Sequence, residues 1–142
     1  MTHGFDTSFL VAVEVDSHEA HATCRARFQK LLKAGDTFSL VPQILAEFIH
    51  VVTDPRRFSS PLKVEQAVER AEIWWNAAEV VHVFPTAEST LLFLGWLEEF
   101  KLGRKRLLDT MLAATLQARG VTSILTLNRD DFTVFGGFTF PK

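Results

Sequence analysis

Residues 107–132 read LLDTMLAATLQARGVTSILTLNRDDF, and the period of their apolar positions changes halfway along. Leu108, Met111, Leu112, Thr115 and Leu116 recur at helical spacing. Gly120 closes that pattern as a helix C-cap, because glycine enters the left-handed region without a Cβ penalty. Val121–Leu125 then forms a short β-type run. A helix that hands over directly to a short apolar strand is one unit of an alternating chain. Such alternation implies parallel strands joined by helical crossovers.

The same alternation extends outward from this stretch. Further candidate strands are His3–Phe5, Thr37–Val41, Val80–Phe84 and Phe138–Phe140. Pro42 suits the first turn of a helix, where its missing N–H has no intrahelical partner, and Ile44, Leu45, Phe48, Ile49 and Val52 follow at helical spacing. Val64, Ala67, Val68, Ala71, Trp74 and Trp75 do the same after a start at Ser60-Pro61. Thr86 caps a helix carrying Leu91, Leu92, Leu94 and Leu97. The expected fold is therefore α/β, one domain over residues 1–142, with a parallel sheet of about four or five strands flanked by helices.

With 142 residues, 47% of them hydrophobic and 23% charged, the chain can bury a core. Charges interrupt every apolar run before it reaches membrane-spanning length, and no basic segment followed by an apolar one opens the chain, so neither a membrane span nor a secretory leader is expected. Cys24 is the only cysteine, which excludes an intrachain disulfide and suits a reducing cytoplasm. A net charge of −2 argues against a protein that coats nucleic acid non-specifically, without excluding a nuclease. Lys101, Arg104, Lys105 and Arg106 cluster, as do Arg56 and Arg57; each group reads as an RNA-binding patch or as a solvated basic loop.

Four stretches place a carboxylate among apolar neighbours: Asp6 in FDTSFL, Glu47 in LAEFI, Asp109 in LLDTMLAA, and Asp130 with Asp131 in TLNRDDF. An acid in such surroundings is expensive to bury unpaired. Alone, Asp6 or Asp109 reads as a helix cap, Glu47 as an ion-pair partner, and Asp130-Asp131 as turn residues. Together they suggest one shared site. Open parallel sheets present ligands beyond the carboxyl ends of their strands, and Asp6 and the Asn128–Asp131 segment fall just past two of them.

In this order, the segments DTSFL, VPQILAEF, LLDTMLAATLQARGV and ILTLNRDDF resemble the PIN-domain family, and within it the VapC-type toxins of type II toxin–antitoxin pairs. The resemblance runs from Phe5 to Phe138. It implies a PIN-like fold and a Mg²⁺- or Mn²⁺-dependent endoribonuclease, with Asp6, Glu47, Asp109 and Asp131 as metal-binding and catalytic acids. It implies Thr126 and Asn128 as polar support. It also implies an RNA substrate, a cognate antitoxin that holds the enzyme inactive, a homodimer and a cytoplasmic location. Either Asp130 or Asp131 fits the family's last acid, and Asn128 stands where many relatives carry another aspartate.

The chemistry is coherent. Two carboxylates about 4 Å apart repel by roughly 4 kcal/mol at an effective dielectric near 20, so a cluster without metal raises its pKa values or splays apart. A hard cation with oxygen ligands removes the repulsion and supplies an acidified water for attack on a phosphodiester. Glu47 is the candidate to orient or deprotonate that water.

Other clusters carry less. His18 and His21 are three residues apart, not the four that pair two zinc histidines on a helix, so they read with Glu19 and Cys24 as a solvated helix face. His50 and His82 read as core or rim residues, and Trp74, Trp75 and Trp96 as core or interface packing rather than base-stacking platforms. The alternatives to a ribonuclease are a catalytically degenerate PIN-like binding module and another Mg²⁺-dependent phosphoesterase. The DTS start carries Ser8 where the best-known phosphotransferase motif has a second aspartate.

Overall fold

In the computed structural model, which describes residues 1–142, the chain runs β1 (Thr2–Phe5), α1 (Thr7–Glu14), α2 (His21–Lys33), β2 (Thr37–Leu40), α3 (Pro42–Val52), α4 (Val64–Trp75), β3 (Val80–His82), α5 (Ala87–Glu99), α6 (Leu107–Ala118), β4 (Ser123–Leu125) and α7 (Asp130–Thr133). The four strands form one parallel sheet in the order β3-β2-β1-β4. Gly4 of β1 pairs with Ser39 on one side and Ile124 on the other. The two central strands are thus β1 and β2. The chain leaves β1 at Asp6 and β4 at Thr126, side by side at the same edge.

Burial explains the strand sequences. Phe5, Phe38, Leu40, Ile124 and Leu125 are fully buried, as expected for a parallel sheet covered on both faces. Phe5 stacks on Phe38 at 5.2 Å and meets the edge of Trp74 at 5.5 Å, so β1, β2 and α4 share one aromatic cluster. Truncating Phe5 or Phe38 to alanine would cost about 3–5 kcal/mol. Gly4 is needed for closeness: a Cβ there would stand 2.5 Å from the Leu116 side chain of α6. At the start of β1, buried His3 bonds Ser123 Oγ through Nδ1 (2.7 Å) and Asp36 Oδ2 through Nε2 (2.8 Å), tying β1 to β4 and to the turn before β2.

The helix boundaries follow their caps. Pro42 opens α3, Thr86 and Ser89 exchange capping bonds at the start of α5, and Gly120 (φ +78°) ends α6. The structure departs from the sequence expectation at several boundaries; β4 starts at Ser123 rather than Val121 and β2 ends at Leu40 rather than Val41. Helix α4 starts at Val64 rather than at Ser60-Pro61, with the Lys63 N–H donating to Gln66 Oε1. Strand β3 stops at His82, two residues short of Phe84. The Phe138–Phe140 segment forms one bridge, Thr139 to Ser123, and not a fifth strand. Positive-φ Gly136 and Gly137 on one side and Pro141 on the other leave it too short for a ladder.

Candidate active site

Asp6 ends β1 and caps α1. Its backbone is extended (φ −92°, ψ 152°), and Oδ1 accepts from the Thr7 N–H at 2.8 Å. Oδ2 accepts from Thr126 Oγ1 at 2.6 Å and from Ser8 Oγ at 3.1 Å. Capping and site membership therefore do not compete: the cap fixes the rotamer that turns the carboxylate toward β4. A carboxylate offers about four acceptor positions, so three bonds leave one free for an ion. Burial raises the Asp6 pKa, the Thr126, Ser8 and Thr7 bonds pull it back, and Glu47 adds to the rise.

The loop after β4 is laced onto the same turn. The Asn128 N–H donates to Thr126 Oγ1 (2.9 Å) and the Leu127 N–H to Ser8 Oγ (3.0 Å). Glu47 approaches from α3. Thr7 Oγ1 donates to its Oε2, and Gln43 Nε2 lies 3.3 Å from its Oε1. The same Gln43 amide donates to the Leu108 carbonyl (3.1 Å), which joins α3 to α6 beside Asp109.

Asp109 lies in the first turn of α6 without capping it; Arg106 holds the N-cap position. Its pKa is raised to about 6, first by desolvation, then by the charges of Asp6 and Asp131, with Glu47 adding less than Arg106 removes. Arg106 Nε lies 3.8 Å from Asp109 Oδ2, and its guanidinium donates to the Asp131 carbonyl, which ties α6 to the loop after β4.

These groups share an open cleft of about 610 Å³ at the carboxyl edge of the sheet. Asp6, Glu47, Asp109, Asp131 and Asn128 line it, with Thr7, Ser8, His18, His50 and Arg57 around them. Asp130 is exposed and faces away into a neighbouring cleft. Of the basic candidates, Arg57 reaches the rim while also pairing with Asp54. Arg56 pairs with Asp54 outside the cleft. Arg104 and Lys105 are exposed on the turn before α6, whereas Arg106 is engaged inside the site and does not belong to a free basic patch.

His18 and His82 differ from their sequence reading, whereas His50 is at the rim as read. His18 precedes α2, bonds the Ala20 N–H and lines the acid cleft rather than a solvated helix face. His50 stands exposed at the cleft. His82 is exposed too, stacked 3.5 Å on Trp75. Sequence reasoning missed Thr7, Ser8 and Gln43 as site residues, and read Arg106 as part of a basic cluster rather than as the neighbour of Asp109. Thr7 and Ser8 stood inside the quoted DTSFL, and the spacing of Arg106, one turn before Asp109, was their counterpart signal.

A family model described as PIN domain matches residues 5–137. The chain belongs to the PIN-domain family. Among solved structures, this PIN domain is similar to Mycobacterium tuberculosis VapC20, described as a sarcin-ricin loop cleaving toxin, with TM-score 0.74, 17% identity and 100% of both chains covered. It is similar to VapBC-1 from nontypeable Haemophilus influenzae, with TM-score 0.69, 18% identity and coverage of 100% of this chain and 98% of that one. It also resembles VapBC2 from Rickettsia felis, bound to a fragment of promoter DNA, with TM-score 0.67, 19% identity and coverage of 99% and 97%. Comparison with curated proteins gives no sequence match.

The donors of this PIN domain fit a hard divalent cation by chemistry: all are carboxylate oxygens, and the elevated pKa of Asp109 marks a cleft short of positive charge. Asp6, Glu47, Asp109 and Asp131 line one cleft, but no three His, Cys, Asp or Glu side chains converge on one point. No helix is long and apolar enough to cross a membrane.

Proposed function

We propose that this PIN domain is a Mg²⁺- or Mn²⁺-dependent endoribonuclease acting as the toxin of a cytoplasmic toxin–antitoxin pair. The observation that carries this reading is one cleft lined by Asp6 from the end of β1, Glu47 from α3, Asp109 from α6 and Asp131 from α7. When bound, the ion supplies positive charge against the phosphate oxygens and acidifies a water. Asp6, Asp109 and Asp131 would hold it. Glu47, with Oε2 fixed by the Thr7 hydroxyl, orients the attacking water and accepts its proton. Thr126 keeps Asp6 in its rotamer, and Arg106 keeps the Asp131 segment against α6.

Regulation follows from the same electrostatics. An antitoxin that inserts an arginine or lysine into the cleft would replace the ion's charge and block RNA. Likeness to VapBC assemblies supports such a partner. The exposed Leu91 and Leu94 of α5, 72% and 54% accessible, favour a homodimer through that helix. Purified protein incubated with RNA in Mg²⁺, Mn²⁺ or EDTA tests the reading. Cleavage with either ion and none in EDTA is expected; equal cleavage in EDTA, or cleavage only of small phosphoesters, overturns it.

A further inference from the structure

The acid cleft repels a polyanion, so affinity for an RNA strand must come from cations beside it. A second cleft, also about 610 Å³, lies across the loop after β4 and shares Asn128 and Asp131 with the first. Its far wall is α2, which contributes Thr23 and Arg27, and the loop adds Arg129. Neither arginine forms an ion pair with a carboxylate. Arg27 has a buried Nε with no hydrogen-bond partner. Arg129 is held only by the Pro141 carbonyl at 3.4 Å and lies 5.9 Å over the Phe140 ring. Two guanidiniums without a carboxylate partner thus line one cleft in a chain of net charge −2.

We propose that Arg27 and Arg129, with Thr23, bind the backbone phosphate of RNA next to the one cleaved in the acid cleft. The inference rests on the ribonuclease reading above. A guanidinium offers planar, paired N–H donors that match phosphate oxygens, and both arginines line the cleft without a carboxylate partner. Continuity of the two clefts over Asn128 and Asp131 gives the strand its path. The acid cleft is itself lined by one further cation, Arg57, which also pairs with Asp54. Exposed Asp130 is the one acid on the second cleft that does not also line the first. It opposes binding.

The test is anisotropy of a labelled single-stranded RNA oligomer with the full chain in EDTA, at several salt concentrations, beside steady-state cleavage in Mg²⁺. Arg27→Gln and Arg129→Gln are each expected to raise Kd roughly 3- to 10-fold and lower the slope of log Kd against log salt by about 0.7. They should raise KM while kcat stays within about two-fold. Arg27→Lys should recover part of the loss, Asp130→Asn should tighten binding, and Arg119→Gln, at the exposed end of α6, should change nothing. If Arg27→Gln fails to fold, Arg129→Gln and Asp130→Asn decide the matter. Unchanged Kd and salt slope in folded variants overturn this subsite while cleavage by the unaltered chain leaves the ribonuclease reading standing. A wild-type chain that neither binds RNA in EDTA nor cleaves it in Mg²⁺ overturns both.

Discussion

Thr126 Oγ1 donates to Asp6 Oδ2 at 2.6 Å, a bond between the ends of two adjacent parallel strands 120 residues apart in the chain. It is the shortest hydroxyl bond that Asp6 receives, and it supports the charged carboxylate against its own burial. Thr126→Val keeps the shape and removes both the donor to Asp6 and the acceptor of the Asn128 N–H. The expected result is a 10- to 100-fold loss in Mg²⁺ affinity or activity, in the range for groups that orient metal ligands, with near-normal folding. Thr126→Ser should recover most of it. Mn²⁺ calorimetry together with RNA cleavage reads both, and a fully active Thr126→Val would remove the bond from the mechanism.

Asp6→Asn and Asp109→Asn each delete one ligand charge. Both should abolish most Mg²⁺-dependent cleavage. Each also relieves repulsion among the acids, so the metal-free variants should melt at the same temperature as the unaltered protein or higher. Retained cleavage in either, or unfolding of both, would contradict their assignment as ligands.

The raised Asp109 pKa has a sign that can be measured. Its folded value, about 6, lies above the ordinary 3.8, so the folded state holds the proton more tightly. This contribution to stability is full below about pH 4 and is lost as pH rises through 6. Asp6 shifts in the same direction. With the Asp109 side chain 30% exposed, the effect is at most about 2 kcal/mol. Without metal, the protein should melt higher at pH 5 than at pH 7.5, and Mg²⁺ at pH 7.5 should restore the difference. A metal-free melting temperature that climbs steadily from pH 5 to 7.5 would speak against a repelling cluster.

The legible parts of this fold share a local cause. Helices α3, α5 and α6 announce themselves through Pro42, Thr86 and Gly120, residues whose own backbone or side chain sets the boundary. Strands β1, β2 and β4 are apolar runs that the sheet buries on both faces. Phe138–Phe140 has the same apolar character, but flanking glycines and a proline decide its pairing, and alternation alone does not register them. The acids could be read because carboxylates amid apolar residues are costly. Arg27 and Gln43 could not, because their meaning lies in what they meet across the fold: a cleft shared with the loop after β4 for one, Glu47 and the Leu108 carbonyl for the other. Arg106 read as one of a basic cluster, and only packing separates it from Arg104 and Lys105.

Asp130 and Asp131 are adjacent yet stand in different surroundings, and this yields the sharpest test of the site. Phe132 is fully buried and anchors the short helix α7. Just before it, Asp131 N–H bonds the Asn128 carbonyl at 3.0 Å, and the Asp131 carbonyl receives Arg106. The first bond fixes its backbone within the loop, the second ties it to the start of α6, and its charge contributes to the raised pKa of Asp109. Asp130 shares none of this: it is exposed, and its carbonyl accepts only a 3.2 Å bond from Thr133 Oγ1. Asp131→Asn should therefore weaken Mg²⁺ binding or turnover at least about ten-fold, as loss of a ligand charge does. It should also lower the pKa of Asp109, since one repelling neighbour is gone. Asp130→Asn should leave kcat and the Mg²⁺ midpoint within about two-fold, its effect confined to RNA affinity. The two variants are compared by Mg²⁺ titration of cleavage at saturating RNA, with an NMR titration of Asp109 as the second readout. An inactive Asp130→Asn beside a normal Asp131→Asn would mean that the loop enters the cleft one residue earlier than these bonds place it.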